Sequence, residues 1–138
     1  ELSPIPDAIK TISRLNVIDN HNIFFVTSRS SKAIHDTYVW LNRYGLPFNQ
    51  VLFDTNKGWV ADKLKLDIHI DDKLENLDII ARATSNKTKT ILFKRPWNRD
   101  YTGTDHVLVS NWTDIKDIVD EIYIEKISRA RQYHDATT

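Results

Sequence analysis

With 138 residues, 41% hydrophobic and 28% charged, the chain has the size and composition of a single globular domain that can bury a core, not of a disordered segment. Nineteen basic residues balance nineteen acidic ones, which excludes a global field that would draw it to nucleic acid or to an anionic membrane. There is no cysteine, so disulfides, thiolate zinc sites and cysteine nucleophiles are excluded as well.

No apolar run approaches the roughly 20 residues of a membrane span, and the start shows no basic-then-apolar signal pattern. A cytoplasmic location is the expectation. The chain opens with Glu1 and contains no methionine, which reads as a fragment or a processed chain.

Ser3-Pro4-Ile5-Pro6-Asp7 reads as a helix start, with Ile5, Ala8, Ile9, Ile12 and Leu15 at helical spacing. After Asn20-His21-Asn22 comes the apolar run Ile23 to Val26, which suits a buried parallel strand ending in Thr27-Ser28-Arg29. Ala33 to Tyr44 predicts an amphipathic helix stopped by Gly45. Val51 to Phe53 is a short strand. Asn56 caps a helix over 57–66, with Trp59, Val60 and Leu64 expected inward.

Asp67 to Ile70 is the next strand, and Asp71-Asp72 follow it directly. A helix over 73–84 turns Leu74, Leu77, Ile80 and Ala81 inward. Thr90 to Phe93 is a strand, 94–104 a polar loop, and His106 to Val109 the last strand. Ser110-Asn111-Trp112-Thr113 then opens a long helix that frays from about Arg131. Trp40, Trp59 and Trp112 read as packing residues. Strands alternating with helices predict one domain over 1–138: a three-layer, Rossmann-like α/β fold with a parallel sheet of about five strands and helices on both faces.

In such a sheet, ligands gather beyond the carboxyl ends of the strands. Standing there are Thr27-Ser28-Arg29, Asp54, Asp71-Asp72 and Lys94-Arg95. Hydroxyls, adjacent carboxylates and cations are what a magnesium-plus-phosphate site requires. Each residue has a plainer reading. Asp71-Asp72 is equally well a surface turn in which Asp72 caps a helix. A lysine at a helix start, as Lys57 is, stands at the unfavourable end of the dipole unless it aims at an anion. By itself it is more simply a solvated lysine. Asp54, Lys63 and Lys65 read as surface residues. The five histidines show no metal-ligand spacing, and His69 reads as packing.

Order carries more than any single residue. IFFVTS with Thr27, NKGWVADKL with Lys57 and DIHIDDKLENL with Asp71 and Asp72 resemble, in sequence, motifs II, III and IV of the haloacid dehalogenase superfamily. ILFKRPWNRD (91–100) and HVLVSNWTDIKDIV (106–119) are similar to a loop and a closing strand–helix unit of its 5'(3')-deoxyribonucleotidase family. The resemblance runs from Pro4 to Ile127. It implies that Thr27 and Ser28 bind the transferring phosphoryl group, that Lys57 neutralises its charge, and that Asp71 and Asp72 hold Mg2+. It also implies a phosphomonoester substrate, deoxynucleoside monophosphates among them, approached by the loop of Arg95, Trp97 and Asn98.

The same family uses an Asp-x-Asp pair, nucleophile and acid/base, on a central strand near the N-terminus, and this sequence has none. The motif I segment and the cap are therefore absent, and the slot between the strands ending at Thr27 and Asp71 is expected to be filled by an N-terminal part, by a second chain or by a direct rearranged pairing of the strands. Two other readings stay open at this point: an inactive binding or regulatory module, and an unrelated parallel α/β domain.

Overall fold

Five apolar runs become strands, and every pairing among them is parallel. The computed structural model describes residues 7–27, 33–46, 50–53 and 56–137, apart from the side chains of residues 50 and 133–137. The strands are β1 (Phe24–Thr27), β2 (Gln50–Phe53), β3 (Ile68–Asp71), β4 (Lys89–Phe93) and β5 (Val107–Val109). The helices are α1 (Ala8–Ser13), α2 (Ile34–Arg43), α3 (Lys57–Leu64), α4 (Leu74–Ala83) and α5 (Trp112–Thr137); a π-helical stretch, Arg14–Ile18, prolongs α1.

Helices cover both faces of the sheet. On β4, Ile91 and Phe93 point to α5, where they form a core with Val109 and Ile115. The two-residue period turns Leu92 to the other face, that of α4 with its buried Leu77 and Ile80. A second core joins Ala8 and Ile12 of α1 to Leu41, Leu46 and Val51. Trp112, the first residue of α5, packs against both cores.

The sheet itself is interrupted. Among the described residues, strands β1 and β2 form one sheet, β3, β4 and β5 another, and no ladder joins β1 to β3. Between them lies a cleft of about 740 Å³, with Phe24 to Val26 on one wall and Ile68 to Asp71 on the other. Trp112 also lines it, and its Nε1 is a buried donor with no hydrogen-bond partner among the described residues. An orphaned buried N–H costs roughly 1–3 kcal/mol.

Two details differ from expectation. On α3 the inward residues are Gly58, Val60 and Ala61, whereas Trp59 and Leu64 are 55% and 41% exposed. That helix ends at Leu64 because Lys65 takes a left-handed conformation (φ 53°). The last helix runs to Thr137. Gly45, by contrast, ends the stretch after α2 at φ 64°, the left-handed stop expected of a glycine there.

Close packing of α3 on α4 explains the first difference. A Cβ on Gly58 would stand 3.0 Å from both Ala83 Cβ and Ile79 Cγ2. Small residues face α4 so that the helices can approach, and the bulky Trp59 is turned out. Gly58→Val is expected to destabilise the fold by about 2–3 kcal/mol through overpacking, as read from urea denaturation. An unchanged midpoint would mean that the helices separate without cost.

Candidate active site

Asn56 accepts a hydrogen bond from the Trp59 N–H (2.9 Å) and so starts α3, which places Lys57 on its first turn. From there the Lys57 ammonium reaches across 14 residues of sequence to Asp71 Oδ2, 3.1 Å away. Both side chains are largely buried, 15% and 7% exposed. The helix-opening cation that is awkward in isolation thus has an anionic partner inside the protein.

Asp71 closes β3 and draws in more donors. Its Oδ2 also accepts from His69 Nε2 (3.2 Å) and Asn76 Nδ2 (3.1 Å), while Oδ1 accepts from the Lys73 N–H (3.1 Å). Burial pushes this carboxyl up, but His69, Lys57 and the Lys73 amide together more than offset it. The group is held well below the usual carboxylate range. Its neighbour Asp72 shifts the other way, raised by burial and then by the negative charge of Asp71.

Asp72 serves the site through its backbone as well. Its carbonyl accepts from Trp97 Nε1 (3.0 Å) and from Asn98 Nδ2 (2.8 Å). Asn98 Nδ2 also donates to the Phe93 carbonyl (2.9 Å), and Asn98 Oδ1 accepts from the Arg95 N–H (2.8 Å). The loop after β4 is thereby tied to the end of β3. Arg95 lines the same cleft as Lys57, Asp71 and Asp72.

The structure therefore gathers Lys57, Asp71, Asp72 and Arg95 at one cleft, with Trp97 and Asn98 hooked onto its rim. Thr27 ends β1, one residue beyond Val26 on the opposite wall. Ser28 and Asp54 lie outside the described residues. His69 and Asn76 are additions that the sequence reading missed. The signal for His69 was its place two residues before Asp71, on the same face of a strand. For Asn76 it was a position in the first turn of the helix that follows.

The fit to a divalent cation is partial. Asp72, raised by burial and by the anion beside it, is an electrostatic situation that Mg2+ would relieve, and carboxylate oxygens are the ligands it takes. Among the described residues no third acidic or imidazole group joins them in a metal-binding cluster. Mg2+ keeps several waters and takes phosphate oxygens, so two carboxylates supply a share of its octahedron.

A second polar series lies away from the cleft. Thr90 Oγ1 is 2.6 Å from His106 Nδ1, and His106 Nε2 is 2.7 Å from Asp78 Oδ1. Hydroxyl, imidazole and carboxylate follow in the order of a nucleophilic triad, but Thr90 and His106 are 5% exposed. Buried this deeply, the series cannot meet a substrate. It is a strut joining β4, α4 and the start of β5.

A parallel α/β body whose strand-end aspartate is paired with a helix-opening lysine defines the class: a haloacid dehalogenase-like fold. Residues 1–132 match the family described as 5' nucleotidase, deoxy (pyrimidine), cytosolic type C, and the chain belongs to that family. It is 28% identical over 119 residues to a nucleotidase of Clostridium acetobutylicum, covering 85% of this chain and 59% of that protein. Proteins with nucleotidase in their names from Halalkalibacterium halodurans and Bacillus cereus are 29% and 26% identical over 103 and 123 residues. Those matches cover 73% and 85% of this chain, and 52% and 61% of the relatives. The chain thus spans little more than half the length of the relatives it matches. Among the described residues, no helix is long and apolar enough to cross a membrane.

Proposed function

We propose that this chain forms the larger part of a magnesium-dependent phosphomonoesterase that acts on nucleoside monophosphates, deoxynucleotides among them. The observation that carries this reading is the Lys57–Asp71 pair at the carboxyl end of β3, with Asp72 and Arg95 on the same cleft. A cation and paired carboxylates at one strand end suit a metal-bound phosphoryl group.

The nucleophile, in this reading, is an Asp-x-Asp strand seated between β1 and β3. It comes from an N-terminal part of a longer chain or from a second chain. The cleft is walled by two strands and lined largely by apolar residues, Trp112 among them. The first aspartate attacks phosphorus as the ester P–O bond breaks, and the second gives its proton to the leaving nucleoside oxygen. Water then attacks the aspartyl-phosphate, returns a proton to the second aspartate and frees inorganic phosphate.

Around that chemistry, Lys57 neutralises phosphoryl charge, and the Thr27 and Ser28 hydroxyls donate to phosphoryl oxygens. Asp71 and Asp72 hold Mg2+. The ion supplies positive charge to oxygens that become more negative in the transition state. His69 and Asn76 orient Asp71.

The test is turnover of nucleoside monophosphates with Mg2+, with and without an Asp-x-Asp peptide. A metal-dependent gain on adding the peptide is the expected result. A complex shown to be folded, yet without turnover, would sink the enzymatic reading. It would leave the alternative, an inactive binding or regulatory module, which has in its favour that no Asp-x-Asp occurs in the 138 residues.

A further inference from the structure

The three rim residues are not equivalent. Asn98 is 8% exposed and spends both ends of its amide on backbone groups of Asp72, Phe93 and Arg95. It is a positioning residue. Trp97, one position earlier, is 61% exposed.

A scattered surface tryptophan would need no explanation. Trp97 differs because it is held. Its Nε1 donates to the same Asp72 carbonyl that Asn98 holds, so the polar edge of the indole is anchored and its apolar ring is presented to solvent. The Arg95 guanidinium stands 5.3 Å from the ring centroid, a cation–π contact that further orders the ring. That arginine also lines the cleft of Lys57 and Asp71. An aromatic surface already fixed beside a phosphate site loses little conformational entropy when a planar ligand settles on it.

From this geometry we infer that Trp97 is the stacking platform for the base of a nucleoside monophosphate whose phosphate lies at Lys57 and Asp71. Resting on the phosphomonoesterase reading, the inference adds which part of the substrate the rim recognises. Because Nε1 is engaged by Asp72, the indole offers a ring face and no hydrogen-bonding edge. Every base has such a face, so the recognition is of nucleosides as a class, with little discrimination among bases.

Calorimetric titration of the chain, with Mg2+ present, tests this with four ligands: adenosine monophosphate, uridine monophosphate, ribose 5-phosphate and inorganic phosphate. Trp97→Ala is expected to weaken both nucleotides about tenfold and to leave the other two unchanged. Trp97→Phe, which keeps a ring and loses the donor, is expected to stay within about threefold of the parent. Equal losses for all four ligands would show that the ring merely props the Asp72 backbone. Equal nucleotide losses in both variants would show that the hydrogen bond, not the ring face, matters. Either result overturns the inference, as does unchanged nucleotide binding in Trp97→Ala. If even inorganic phosphate fails to bind the parent chain, the phosphate site falls and this inference with it. Phosphate binding combined with nucleotide binding indifferent to Trp97 overturns the inference alone.

Discussion

Asp71→Asn is expected to destabilise the fold by about 3 kcal/mol at neutral pH, and Asp72→Asn to stabilise it. The two neighbouring carboxylates differ in sign because their surroundings differ. Asp71 sits among the donors of Lys57, His69, Asn76 and the Lys73 amide. Removing its charge leaves the Lys57 ammonium, 15% exposed, without its counter-charge, and breaking such a pair from one side is costly. Asp72 carries a negative charge that burial and Asp71 both oppose, so a neutral isostere relieves it.

The pH dependence separates them further. A carboxyl depressed in the folded state contributes stability above its ordinary value of 3.8, and that contribution is lost as pH falls through its folded value. Asp71→Asn should therefore flatten the acid limb of the stability curve. A raised carboxyl acts oppositely: what it contributes is present below 3.8 and is lost as pH rises through its folded value. Asp72→Asn should gain most above that value. Urea midpoints from pH 7 down through the strongly acidic range well below 3.8 decide the matter, and the same sign for both variants would refute this electrostatic account. In enzyme completed by an Asp-x-Asp strand, Lys57→Ala is expected to lower kcat by about 10²–10³-fold through loss of transition-state charge stabilisation.

Filling the cleft should have the other large effect. An extended apolar peptide carrying Asp-x-Asp, at about one hundred times its dissociation constant, should stabilise the chain by about 2.7 kcal/mol. That corresponds to a Tm rise of about 5–10 °C. A peptide with proline at its centre should give none, because proline cannot complete a ladder on both sides. Trp112→Phe should be neutral or mildly stabilising, since it removes a buried donor that lacks a partner among the described residues. A Tm indifferent to both peptides would mean that the cleft does not take a strand.

The order of elements was legible along the chain because it depends on local periodicity and on short-range stops. Continuous apolar runs became parallel strands, Asn56 caps α3 and Gly45 takes its left-handed turn. Lys57 at a helix start and Asp71-Asp72 after a strand could be picked out for the same reason, since strand ends and helix starts are where a parallel α/β fold presents its chemistry. Which face of a helix turns inward was another matter. Periodicity allowed Trp59 inward, and only the close packing of Gly58 on α4, where an added Cβ would stand 3.0 Å from Ala83 and Ile79, turned it out.

Tertiary structure alone decided what touches what. The pairing of Lys57 with Asp71 spans 14 residues, and Trp97 and Asn98 reach Asp72 across 25 and 26. The donors His69 and Asn76 became visible only once a buried carboxylate needed them, because desolvated charge must be satisfied by whatever the fold brings near. The gap between β1 and β3 was expected from the family resemblance, but that the strands stand apart as two sheets around a cleft is a matter of pairing between distant segments, which no local pattern of residues encodes.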